Sequence, residues 1–169
     1  MGKPHPRLQS PQNESIAVPA PGAGKRGEAG YLGYLLRQAS AAQRLRMERT
    51  LSDLGVTPAQ FVVLTMLHAY PGISSADLAR LSLLTPQTVS VIVANLERGG
   101  SIERRAHSVH GRIQHLDVTA AGQTLLAKCR GRAHRLDAQM KAHLTRQEER
   151  IVRKWLVSLA TEEAPVEVD

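Results

Sequence analysis

The chain has 169 residues, 42% of them hydrophobic but only 3% aromatic, with a formal charge of +7 and a pI near 10.2. This length fits one ordinary domain, or a small domain with an added helical module. A core of Leu, Val, Ile and Ala with few aromatics favours helices packed on helices. The single cysteine, Cys129, excludes an intrachain disulfide framework and suits a reducing compartment. No apolar run approaches the roughly 20 residues of a membrane span, and the N-terminus lacks an apolar signal core. A cytoplasmic, nucleoid-associated location without membrane partners is therefore expected. The excess of arginine attracts polyanions and raises encounter rates but specifies no fold.

Residues 1–29 contain Pro4, Pro6, Pro11, Pro19 and Pro21, with Lys3, Arg7, Lys25 and Arg26 among them, and read as a flexible arm. From Gly30 to Leu54 there is no proline. Leu35, Ala39, Ala42 and Leu45 recur at helical spacing there, and Gly55 is a stop signal. The segment 30–56 is thus assigned to an N-terminal dimerisation helix. Thr57-Pro58-Ala59-Gln60 is a capping box with proline at the first helical position. The helix it opens carries Phe61, Leu64 and Leu67 on one face and ends at Tyr70-Pro71-Gly72.

Ser74 caps a short helix bearing Leu78 and Leu81. Thr85-Pro86 opens another, with Val89, Ile92, Val93 and Leu96 at i, i+3, i+4 and i+7 and Gly99-Gly100 beyond its end. A strand at 102–106, a turn, and a strand at 113–118 follow, with Leu116 and Val118 on one face. Thr119 then caps a long helix with the stripe Leu125, Cys129, Ala133, Leu136, Met140 and Leu144. Thr145-x-x-Glu148 is a second capping box, and the last helix, to residue 162, carries Ile151, Val152, Trp155, Leu156 and Leu159. Residues 163–169 are a tail. The fold class is mainly α with a small β-hairpin: a winged helix-turn-helix over 57–118, flanked by terminal helices at 30–56 and 119–162.

A helix, a tight turn, a second helix and a basic β-ribbon place one helix in a DNA major groove. On the helix from Pro86 to Arg98, the face opposite the apolar stripe presents Gln87, Val91, Ala94 and Arg98, flanked by Thr88 and Ser90. Gln pairs in bidentate fashion with adenine, hydroxyls serve bases or phosphates, and small apolar groups meet a thymine methyl. The helix N-termini behind Ser74 and Thr85-Pro86 offer amides to phosphate oxygens. The hairpin adds Arg104 and Arg105, then His110 and Arg112 at its tip, as a wing that tracks the backbone or probes the minor groove. The terminal helices are too long to bury their stripes in one small winged domain. Leu35, Leu144, Ile151, Val152, Trp155, Leu156 and Leu159 are therefore assigned to a homodimer interface. Two recognition helices related by a two-fold axis read an inverted repeat in double-stranded DNA.

These residues resemble the MarR-type multiple-antibiotic-resistance regulators over roughly 30–162. The resemblance is most specific at Leu96-Glu97-Arg98-Gly99-Gly100-Ser101-Ile102-Glu103-Arg104-Arg105, at Gly111-Arg112, and at Leu116-Asp117-Val118-Thr119-Ala120-Ala121-Gly122. It implies a dimeric winged helix-turn-helix that represses transcription. It also implies a small, often aromatic or phenolic, ligand held in a cleft between the dimer helices and the winged domain. The family's wing usually has an Asp near its arginine, whereas Gly111 precedes Arg112 here, and Ser101 stands where the family prefers an apolar residue.

Three alternatives compete with this reading: a redox switch at Cys129, a metal sensor using histidines such as His107, His110, His134 and His143, and a winged helix that binds protein. The apolar stripe makes Cys129 a buried inert thiol by default, and no tight Cys/His cluster marks a metal site. No cofactor is expected. Nucleophile-elbow, phosphate-loop and metalloprotease motifs are missing from the sequence, so the chain does not read as an enzyme. The glycine-flanked tip predicts that Arg112 positions the protein without specifying sequence. Arg112→Ala should weaken binding to all duplexes alike and lower the slope of log K against log salt by about one unit per lost phosphate contact. Titrations at several salt concentrations measure this; an unchanged slope at normal affinity would leave DNA binding to the helix alone.

Overall fold

The computed structural model describes residues 18–106 and 114–161. Its regular elements are α1 (Leu32–Leu51), α2 (Pro58–Ala69), α3 (Ser75–Ser82), α4 (Pro86–Arg98), β1 (Ile102–Ala106), β2 (Gln114–Val118), α5 (Ala120–Met140) and α6 (Arg146–Thr161). Two compact units meet at residues 42 and 43. In the first, the flexible arm expected up to residue 29 gives way to a tight turn. A 3-10 segment at Gly24–Arg26 is held where Arg26 Nε donates to Gln38 Oε1 (2.9 Å) and Gln38 Nε2 donates to the Arg26 carbonyl (3.0 Å). Arg26 Nη1 also donates to the Pro19 carbonyl (2.8 Å). Such a pairing, twelve residues apart in sequence, leaves no local pattern to read. The remainder of the arm and the tail lie outside the described residues.

In the second unit the helix starts follow from side-chain caps. Thr57 Oγ1 accepts from the Gln60 amide (3.2 Å), and Gln60 Oε1 accepts from the Thr57 amide (2.8 Å). Ser74, Thr85 and Thr119 each accept from the amide three residues on. Each such bond satisfies an amide that the helix leaves unpaired, worth about 1 kcal/mol. Thr145 and Glu148 complete the second box. The amide and hydroxyl of Thr145 hold the Glu148 carboxyl below its ordinary range.

The stops are equally local. Gly55 and Gly100 take left-handed φ values of 65° and 69°. Leu83 does the same at 54°, although a side chain there costs about 1–2 kcal/mol. Two bonds hold it there, from the Leu84 amide to the Ala79 carbonyl (3.0 Å) and from the Leu83 amide to Arg80 (3.2 Å). Leu84 packs against the core and anchors this turn.

Helix α1 ends its regular turns at Leu51, and the expected last residues tighten into a 3-10 turn at Ser52–Leu54. Helix α5 ends at Met140, short of Leu144, the last residue of the expected stripe. There Lys141 Nζ pairs with Asp137 (3.0 Å) and Glu149 (3.3 Å) as the chain turns into α6.

Strands β1 and β2 form an antiparallel hairpin in which Ile102 pairs with Val118 and Arg104 with Leu116. Twelve buried side chains from α2, α3, α4, the hairpin and α5 make the main core, including Leu64, Leu78, Val89, Leu96, Ile102, Leu116 and Leu126. Leu51, Val56 and Cys129 form a smaller cluster, and Phe61 and Leu125 pack against both. At about 1.5–3 kcal/mol per buried aliphatic side chain, the winged unit holds most of the hydrophobic stabilisation. Several positions differ from the expected stripes, Met140 and Leu144 at the end of the α5 stripe being exposed. Leu81 is exposed while Ala79 is buried, and Leu126 is fully buried while Leu125 is only half-buried. A 3.6-residue stripe drifts across a wide apolar face, so its edge positions are set by the neighbour that covers them.

The hairpin meets α5 at a point where no side chain fits. A Cβ on Gly122 would lie 1.9 Å from the buried Ser101 carbonyl oxygen. That carbonyl accepts from the Thr119 amide (3.1 Å), while Thr119 Oγ1 donates to the Gly100 carbonyl (2.6 Å). Alanine normally gains about 0.5–1 kcal/mol over glycine inside a helix. Here Gly122→Ala should instead destabilise by on the order of 1–3 kcal/mol through overpacking. Urea unfolding measures this, and a variant as stable as the parent would show that the contact yields without cost.

Candidate nucleic-acid interface

Helix α4 buries Val89, Ile92, Val93 and Leu96 against the main core. Its other side is left outward, with Gln87, Thr88, Ser90, Val91, Asn95 and Arg98 exposed and Ala94 half-buried. Val91 is 57% exposed, so an apolar group stands in the middle of this outward face. Between the caps at Thr85 and Gly99 this surface carries no carboxylate that would repel a polyanion. Glu97 is turned aside by an ion pair with Arg104 (2.9 Å).

Hydrogen bonding sorts these residues further. Gln87 makes no hydrogen bond within the described residues, so its amide is free to donate and accept. Ser90 Oγ donates to the Pro86 carbonyl (2.9 Å), leaving only acceptor capacity. Thr85 Oγ1 caps the Thr88 amide (3.1 Å) and shares a hydrogen bond with Thr88 Oγ1 (2.8 Å). Ser74 is similarly committed: its hydroxyl accepts from the Asp77 amide (3.1 Å) and donates to the Asp77 carboxylate (2.6 Å). Arg98 Nη1 donates to Asn95 Oδ1 (3.0 Å), so this pair presents mainly donors.

The hairpin arginines differ from a simple row of free cations. Arg104 Nε bonds Glu97 and ties β1 to α4, with its side chain still 42% exposed. Arg105 Nε bonds Asp117 across the hairpin (2.6 Å), and this carboxylate raises the guanidinium pKa above its ordinary value. The root of the wing is thereby fixed to the recognition helix. His110 and Arg112 lie outside the described residues. The sequence reading gave Asn95, Glu97 and Asp117 no place in the interface. Asn95 lies one turn beyond Val91 and was legible on the helical wheel, whereas both ion pairs depend on hairpin geometry.

The residues assigned to a dimer interface lie in two places. Leu35 is half-buried in the first unit. Leu144, Ile151, Val152, Trp155, Leu156 and Leu159 are exposed, and α6 buries none of its own residues. Cys129 is fully covered, and burial pushes its thiol pKa up, which disfavours the reactive thiolate. Among the described residues no three His, Cys, Asp or Glu side chains gather as a metal set, and His107 and His110 fall outside them.

A capped helix-turn-helix followed by a two-stranded wing defines a winged helix-turn-helix of the DNA-binding class. Residues 54–113 match the model of the MarR family. The HTH-type transcriptional repressor Rv2887 of Mycobacterium tuberculosis is 36% identical over 131 residues, covering 78% of this chain and 94% of that protein. The chain belongs to the MarR family of winged helix-turn-helix transcriptional regulators. Its fold matches the solved Rv2887 complex with DNA at TM-score 0.64 and 32% identity, covering 78% of this chain and 99% of that one. It matches the Rv2887 complex with salicylic acid at 0.65 and 36%, covering 78% and 98%.

The free amide of Gln87 and the spent donor of Ser90 rank these two positions. Gln87→Ala should weaken binding to a cognate duplex by about 1–3 kcal/mol with little effect on random duplex. Ser90→Ala should cost less. Fluorescence anisotropy on both duplexes tests this, and equal losses on the two would remove α4 as the reading element.

Proposed function

We propose that the chain is a transcriptional repressor that binds an inverted-repeat operator as a homodimer and is released by a small aromatic acid. The observation that carries the reading is the outward face of α4, exposed, free of unpaired carboxylate and bounded by a wing root bonded to the same helix. Gln87, Thr88, Ser90, Val91, Ala94 and Arg98 face base edges and phosphates in the major groove. The capped N-termini behind Ser74 and Thr85-Pro86 meet the backbone, and Arg104, His110 and Arg112 hold the wing beside it. The related Rv2887 is named a repressor and was solved with DNA, which supports the same activity here. Its complexes with salicylic acid and p-aminosalicylic acid support a ligand of that class.

Homodimerisation is supported by α6. An amphipathic helix that buries nothing within its own chain leaves its apolar side for another surface, and a second copy supplies one with two-fold symmetry. Half-sites then lie about one helical turn apart. Selection of duplexes from a random pool tests the whole reading. The expected product is an inverted repeat bound by two chains with steep salt dependence, and enrichment of no common sequence would reject it.

Trp155→Ala or Leu156→Asp should lower the dimer fraction and with it operator affinity, the charged substitution more strongly. Sedimentation beside a binding curve decides this. A variant that stays a tight dimer with unchanged binding would move the interface off α6.

A further inference from the structure

A helix in the major groove reads guanine best with a cation, because Arg or Lys bonds the guanine O6 and N7 together. Helix α4 has no such group where it would be needed. Between residues 57 and 118 five Lys or Arg stand against four Asp or Glu, and the only one of the five on α4 is Arg98, in its last turn. Its Nη1 already donates to Asn95 Oδ1. The N-terminal residues of a recognition helix are the ones that meet base edges. On α4 the exposed side chains of that part are Gln87, Thr88, Ser90 and Val91, all uncharged.

Most of the hydrogen-bonding capacity of these turns is already spent within the helix. Thr85 and Thr88 share a bond in the cap, and the Ser90 hydroxyl donates back to the Pro86 carbonyl. Gln87 keeps a side-chain amide with no bond to any described residue. Val91 stands one helical turn further on, on the same side. A single exposed valine on a free surface needs no explanation. On a helix laid in the major groove, however, its isopropyl group is pressed against a base edge and excludes water from it.

We infer that α4 reads A·T base pairs, with Gln87 on the N6 and N7 of an adenine and Val91 against the C5 methyl of a thymine. The chemistry of the groove selects these bases. The thymine methyl is the one apolar group that the four bases display there. Guanine O6 and N7, or the cytosine amino group, would lose water against the valine and gain no bond, and an unpaired polar group is costly. The Gln87 amide donates and accepts at once, which matches the acceptor N7 and donor N6 of adenine in bidentate fashion. Val91 is thus a specificity-determining residue that acts by shape and desolvation, beside one that acts by hydrogen bonds.

The inference deepens the operator part of the proposed function and rests on that reading. The probe is the duplex enriched from a random pool by the full-length chain, with each thymine replaced in turn by deoxyuridine. That replacement removes the methyl and keeps every hydrogen-bonding group. At one thymine it is expected to weaken binding of the parent about fourfold per half-site, the worth of one buried methyl group. Val91→Ala should bind the thymine duplex more weakly and lose its sensitivity to uracil at that position alone. A general disturbance of α4 would leave that sensitivity in place, so the coupling between residue and methyl is the decisive quantity. Gln87→Ala should keep the sensitivity to uracil and instead cease to prefer adenine at its own base pair. Melting midpoints report whether each variant is folded. Three outcomes overturn the inference and leave the operator reading standing: G·C pairs throughout the selected half-sites, no thymine whose methyl affects binding, or equal uracil sensitivity in the parent and folded Val91→Ala. A pool that yields no common sequence rejects both.

Discussion

The close approach of Gly122 to the Ser101 carbonyl is the constraint on which the rest of the winged unit depends. At this point the end of α4, both strands of the hairpin and the first turn of α5 converge within a few residues. The backbone of α5 touches the backbone leading into β1 directly, and two hydrogen bonds from Thr119 close the junction. No side chain stands between Gly122 and the Ser101 carbonyl to adjust and absorb a displacement. A shift of α5 is therefore passed to the root of the wing and the end of the recognition helix, because packed interiors transmit strain.

Ion pairs extend this junction outward without adding charge. Glu97–Arg104 joins helix to wing, and Arg105–Asp117 braces the wing across its strands. Exposed pairs of this kind contribute little stability, typically below about 1 kcal/mol. Their effect is geometric, holding the hairpin at one angle to α4. They also leave the winged unit close to neutral. Its discrimination among sequences then rests on hydrogen bonds from uncharged side chains such as Gln87, and its long-range attraction to DNA rests on cations elsewhere in the chain.

The helical frame has the opposite balance. Its buried cluster around Leu51, Val56 and Cys129 is small, α6 is unburied, and the α5–α6 corner is held by Lys141, Asp137, Glu149 and Arg153. A frame with so little core of its own gains stability from whatever covers it, which in the proposed reading is a second copy. In that reading, assembly is therefore assigned to the part of the chain with the least core of its own.

Helix starts and stops were legible in the sequence because capping is local. Thr57, Ser74, Thr85, Thr119 and Thr145 each act on an amide three residues away, and Gly55 and Gly100 supply left-handed backbone with no outside help. The apolar periodicity of α4 likewise determined which of its sides turns outward, and so named most of the candidate reading face. What the tertiary structure decided were relations between distant residues. Arg26 meets Gln38, Arg104 meets Glu97, Arg132 meets Asp53, and Gly122 must be glycine because of Ser101. None of these has a local signature. Each depends on how two elements cross, and that follows from the packing of the whole core. Sequence periodicity therefore located the outward face of α4, while only the fold showed which of its side chains remain free to bond and that Arg132 on α5 is committed to Asp53.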